Sequence, residues 1–138
     1  MFSGPKERLD GIAAHLGALR WECEDIDQVN VEATDPWRND LTQERTWDRI
    51  VVSIRERKAD AMDAGVPCET FSRSRNNRPG PNPLRSKQYP YGKSESEPSK
   101  EDYAKGRRGT HLALRTLKSA KLAWEVGVAG FIENPEPM

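Results

Sequence analysis

The chain has 138 residues, the length of one domain with a single core of modest size. Its 22 Lys and Arg balance 22 Asp and Glu, so net charge points to neither nucleic acid nor a membrane surface, and the core must come from a few segments because charged residues (32%) nearly equal hydrophobic ones (35%). Two cysteines, Cys23 and Cys68, make neither a disulfide framework nor a zinc-finger spacing, and with no signal peptide or bilayer-length apolar run the expectation is a soluble, intracellular chain with no membrane partner.

In chain order, Met1-Phe2-Ser3-Gly4 reads as the last residues of a strand. Residues 5 to 19 have helical period, with Leu9, Ile12, Ala13, Leu16 and Leu19 on one face and Pro5 suited to the first turn. Residues 19 to 26 alternate Leu19, Trp21 and Cys23 against Arg20, Glu22 and Glu24, which predicts a half-buried strand ending on acids. Residues 28 to 41 are polar, with Asp35-Pro36 as a turn signal. A second helix is expected over 43 to 57 with Trp47, Ile50, Val51 and Ile54 inward, then a short strand over 59 to 66 leading to Cys68.

Residues 72 to 101 form a long Pro- and Ser-rich loop with an excess of basic residues, and nothing in it offers burial enough to order it. A third helix is expected from about 102 to 126, with Ala113, Leu117, Ala120 and Trp124 on its buried stripe and Gly127 as C-cap. The last strand is 128 to 133. Both ends read as cut: the chain is expected to be a single truncated domain over residues 1–138. The alternation of strand and helix predicts an α/β fold, a mostly parallel layer sheet that is incomplete at both ends.

In such sheets ligands sit at the carboxyl ends of the strands, where Phe2-Ser3-Gly4, Asp25, Cys68 and Glu133 all fall. Ser3 and Gly4 would let a ligand approach the backbone. Asp25 is either the acceptor for a ribose or a solvated acid among Glu22, Glu24 and Asp27. Asp40 either accepts from an adenine amino group, with Leu41 on the ring, or caps the following helix. Cys68 is either a small buried hydrophobe or a nucleophile whose thiolate Arg73 and Arg75 would favour. Glu133, ending an apolar strand, would serve as proton donor or as hydrogen-bonding anchor for a heterocycle. A phosphatase cradle is excluded, because position 74, where its arginine is needed, holds Ser74. A cysteine–histidine hydrolase would need His15 or His111 near Cys68, and His111 falls at the polar start of the third helix among Arg107 and Arg108.

Five short motifs in order give the chain a likeness to a known family. They are Phe2-Ser3-Gly4, Asp25-Ile26-Asp27, Asn39-Asp40-Leu41-Thr42-Gln43, Gly65-Val66-Pro67-Cys68-Glu69-Thr70-Phe71-Ser72 and Phe131-Ile132-Glu133-Asn134. In this order the chain resembles the cofactor-binding and catalytic half of the DNA cytosine-5 methyltransferases over nearly its whole length. The fourth motif is similar to that family's Pro-Cys-Gln-x-Phe-Ser nucleophile motif and the fifth to its Glu-Asn-Val motif.

The resemblance implies a Rossmann-like S-adenosylmethionine-dependent methyltransferase sheet. S-adenosylmethionine would lie over Phe2, Ser3 and Gly4, with Asp25 at its ribose and Asp40 and Leu41 at its adenine. Cys68 would attack C6 of a cytosine flipped out of the duplex, with Glu133 at N3. Ser72, Arg73, Arg75, Arg78 and Arg85 of the basic loop would contact the DNA. The chain departs from the pattern at Pro5-Lys6-Glu7-Arg8, at Glu69 in place of glutamine and at Pro135 in place of valine. The arginine that supports the cytosine and the target-recognition region have no counterpart, so activity would require segments supplied from elsewhere. The alternative is a non-catalytic nucleic-acid-binding module, or an inactive fragment of a larger protein of the mobile-element type.

Overall fold

One long helix, α3 (Lys100–Val126), supports every other packed element. The Ser99 hydroxyl starts it by accepting from the Asp102 N–H at 3.1 Å, and Glu101 and Asp102 place negative charge at its positive end. Gly127 stops it in the left-handed conformation (φ +77°), as expected of a C-cap glycine. The Val128 N–H then turns back to the Ala123 carbonyl at 2.9 Å and aims the chain into the final strand. The computed structural model describes residues 12–24, 40–66, 68–71, 79, 81–94 and 99–133, without the side chains of residues 12, 13 and 68.

The remaining elements are α1 (Ile12–Ala18), α2 (Glu44–Arg55), β1 (Ala61–Gly65), a single 3-10 turn at Cys68–Thr70, and β2 (Ala129–Glu133). The apolar positions of α2 recur at helical spacing, so Ile54 is buried and Trp47, Ile50 and Val51 are half-buried, the face the periodicity predicts. β1 and β2 pair in parallel, with Ala61 opposite Ala129 and Gly65 opposite Glu133. A parallel pair needs a crossover between its strands, and α3 supplies it. The chain is thus a small α/β protein, with a two-stranded parallel sheet among its described residues. Its main core joins Ile54 of α2, Ala123 of α3 and Val128, with Met62, Leu122 and Val126 against them. A second cluster joins Leu41 to Leu112, and Ile50 touches both. No described helix is long and apolar enough to cross a membrane.

Three expectations need correction. Residues 21–24 form no strand: Leu19, Trp21 and Cys23 are exposed, so among the described residues the apolar side of their alternation has no layer to bury against. The Glu24 carboxylate instead pairs with Arg49 of α2. The buried stripe of α3 is Gly109, Leu112, Thr116, Ser119 and Ala123. It has the spacing expected for Ala113, Leu117, Ala120 and Trp124 but is shifted by one residue, which leaves Leu117 and Trp124 exposed. Small residues line the inner face because α2, the 3-10 turn and the sheet approach the helix closely. Finally, part of the 72–101 loop is packed. Residues 81–94 lie against α3 and bury Leu84 and Arg85, each 3% exposed. The expected strand at 1–4 lies outside the described residues.

Candidate functional site

Because β1 and β2 run in parallel, their carboxyl ends share one edge. Gly65 and Glu133 stand opposite each other there, and the Val66 N–H points to the Glu133 carbonyl at 3.4 Å. The chain leaves β1, passes Val66 and enters the 3-10 turn at Cys68. Of the two residues expected from sequence to act together, Glu133 ends β2, and Cys68 follows the end of β1 by three residues. The Glu133 side chain is exposed. No protein-family model, curated protein or solved structure matches the chain. The site is read from its own geometry.

The Cys68 turn is tied to α3 at two points. Glu69 forms an ion pair with Lys105 at 3.7 Å, and Glu101 holds the same ammonium at 3.0 Å. The hydrogen bond and charge of Glu101, followed by the charge of Glu69, raise the Lys105 pKa. The second tie is Thr70, which is 4% exposed. Its hydroxyl accepts from Arg85 Nη2 at 3.2 Å, and the same nitrogen donates to the Gly106 carbonyl at 2.9 Å. Arg85 Nη1 donates to the Pro90 carbonyl and the Thr110 hydroxyl, both at 2.9 Å, while the guanidinium covers the Phe71 ring at 3.8 Å. One arginine thus joins the turn, the 81–94 segment and α3.

Gly109 permits this approach. A Cβ added there would stand 2.5 Å from Thr70 Oγ1 and 3.2 Å from Arg85 Nη2. Gly109→Ala improves local helix propensity yet displaces the turn. It is expected to destabilise the chain by about 1–3 kcal/mol, read as a lower urea midpoint. An unchanged or higher midpoint would show that the turn does not need this contact.

Arg85 corrects the sequence expectation that it contacts nucleic acid. It is buried, and both of its terminal nitrogens are engaged by the protein. Burial lowers its pKa, but a guanidinium starts so far above neutrality that it stays charged. Ser72, Arg73, Arg75 and Arg78 lie outside the described residues, as do Phe2, Ser3, Gly4 and Asp25.

The two described residues expected at an adenine do other work. Leu41 is 8% exposed and packs on Leu112, so it corrects the expectation of a ring contact. Asp40 accepts from the Thr42 N–H at 2.9 Å and from the Thr42 hydroxyl at 2.7 Å, the local turn that favours the start of α2. Burial would raise the Asp40 pKa, but the bonds from Thr42, a longer one from Gln43 and the charge of Arg108 outweigh it and hold the carboxyl below its usual value.

The folded-state pKa is the depressed one, so this contribution is full above the unfolded value near about 4 and is lost as pH falls through the folded value. Asp40→Asn is therefore expected to lose less stability than the parent between about pH 6 and about pH 3. Urea midpoints at both pH values check this, and equal losses would refute the assignment.

Sequence reading missed Arg115, which is 6% exposed. Its Nη1 donates to the Leu41 and Gln43 carbonyls, and its Nη2 meets Glu44, so it fastens the start of α2 to α3. The available signal was an arginine inside an otherwise small-residue stripe. Among the described residues no group of His, Cys, Asp and Glu is gathered to hold a metal ion.

Proposed function

We propose that this chain is a cytosine-5 methyltransferase-like domain of Rossmann-like architecture, in which Cys68 is the nucleophile, Glu133 holds or protonates the pyrimidine at N3, and S-adenosylmethionine is the methyl donor, with activity that requires further segments supplied from elsewhere. The observation that supports this reading is the parallel register that sets Gly65, three residues before Cys68, opposite Glu133. In the expected chemistry the Cys68 thiolate adds to C6 and a C–S bond forms. The electron pair of the C5–C6 bond moves into the ring, and Glu133 supplies the proton at N3. The base is then nucleophilic at C5.

Asp40 and Leu41 do not fit the adenine contact, since one is engaged by Thr42 and the other is core. No step is therefore routed through the cofactor. Its binding is tested by titration of the full chain with S-adenosylhomocysteine in a calorimeter, beside Asp25→Ala. Saturable binding that Asp25→Ala abolishes is the expected result. No heat of binding from a chain with native helicity would end the S-adenosylmethionine assignment.

A further inference from the structure

We propose that a cleft at the start of α3 binds one nucleotide unit, with its base against Tyr91 and Tyr103 and its phosphate on Arg107 and Lys93. The cleft has a volume of about 250 Å³ and is walled by these four side chains, with Asp102 and Gly106 between them. Tyr91 is 70% exposed, far from a core residue, and offers an aromatic face to solvent. Two cations and two phenol rings around one concavity suit a ligand that is both planar-aromatic and anionic. The volume lies below the range of pockets for whole drug-sized molecules, and so fits one base with its phosphate at the rim, not a dinucleotide.

Gly106 also lines this cleft. Glycine is among the poorest helix formers, and α3 has two of them on its inner face. Gly109 is accounted for by the close approach of Thr70. At Gly106, by contrast, an added Cβ would meet no described atom within 4 Å. Packing does not require glycine there, and the space beside it is open to the cleft. The Gly106 carbonyl also accepts from Arg85 Nη2, which in turn donates to Thr70, so the cleft lies one bridging side chain from the Cys68 turn. Neither Cys68 nor Glu133 lines it, and it stands or falls apart from the methyltransferase reading.

The test is titration of the full chain with cytidine and adenosine monophosphates and, separately, with single-stranded DNA and RNA of about twelve nucleotides. Saturable binding is expected. Tyr91→Ala should weaken it about tenfold, and Arg107→Ser should weaken it and reduce its salt dependence. Gly106→Leu fills the cleft and should abolish binding, while Gly106→Ala leaves most of the space and should retain it, with helicity by circular dichroism at least that of the parent. Saturation by the monophosphates with no gain from the oligonucleotides identifies a free nucleotide as the ligand. Much tighter binding of an oligonucleotide identifies a unit within a strand, and either result supports the site. Absence of saturable binding by any of these probes overturns the proposal. So does binding that Tyr91→Ala and Gly106→Leu leave untouched in folded protein.

Discussion

Arg85→Met is expected to lower the stability of the folded chain by about 3 kcal/mol, a large share of the roughly 5–15 kcal/mol typical of a domain. The guanidinium is buried and donates to four neutral acceptors, Pro90 O, Thr110 Oγ1, Thr70 Oγ1 and Gly106 O. Hydrogen bonds from a charged donor are worth more than neutral ones, but part of that gain offsets the cost of taking the cation out of water. Methionine fills similar volume and keeps contact with Phe71, yet leaves the buried Thr70 hydroxyl without its Arg85 donor. Lysine presents a single nitrogen in place of a planar fork, so Arg85→Lys should recover less than half of the loss. Urea denaturation measures both. A loss below about 1 kcal/mol for Arg85→Met would mean that the turn and the 81–94 segment are held by other contacts.

The second large effect is expected at the strand edge. In a protein that supplies the further segments activity requires, Cys68→Ser should reduce methyl transfer to cytosine to background, because an alkoxide at neutral pH is far scarcer than a thiolate and is a poorer nucleophile toward C6. Glu133→Gln keeps the shape and loses the proton, and should lower the rate by about 10²–10⁴-fold, the usual contribution of a positioned acid. Radiolabelled methyl transfer to a cytosine-containing duplex reads both. Neither variant should shift the urea midpoint much, since Glu133 is exposed and serine is close in size to cysteine. Transfer that survives Cys68→Ser would remove the cysteine from the chemistry.

Periodicity was sufficient for α2, for the capped end of α3 and for the two strands, because each carries its own local signal: apolar spacing, Gly127, or a short apolar run. It was misleading for α3's buried face. Hydrophobicity favoured Leu117 and Trp124, whereas the helix turns Gly109, Ser119 and Ala123 inward so that its neighbours can approach. A stripe of small residues competes poorly with a stripe of large ones when only burial preference is counted. The alternation at 19–24 failed for a related reason: period two marks a strand only where a sheet face exists to receive it.

At the candidate site, composition alone marked Arg85 as one more cation in a basic loop. Its true surroundings depend on Thr70, Gly106 and Thr110, which lie 15 to 25 residues away, and local sequence carries no trace of that meeting. The parallel pairing of β1 with β2 was legible because alternation of strand and helix, not side-chain packing, decides it. Once two strands are parallel, their carboxyl ends must coincide.

The most direct test of the central claim is covalent capture. A duplex carrying 2-pyrimidinone in place of cytosine offers C6 to a thiolate without any methyl transfer, and peptide mass spectrometry then locates the adduct. Cys23 is exposed and serves as the internal control for nonspecific thiol addition. The account predicts an adduct on the Cys68 peptide that forms faster than any on Cys23 and slows with Glu133→Gln. No adduct, or equal labelling of the two cysteines, would contradict it.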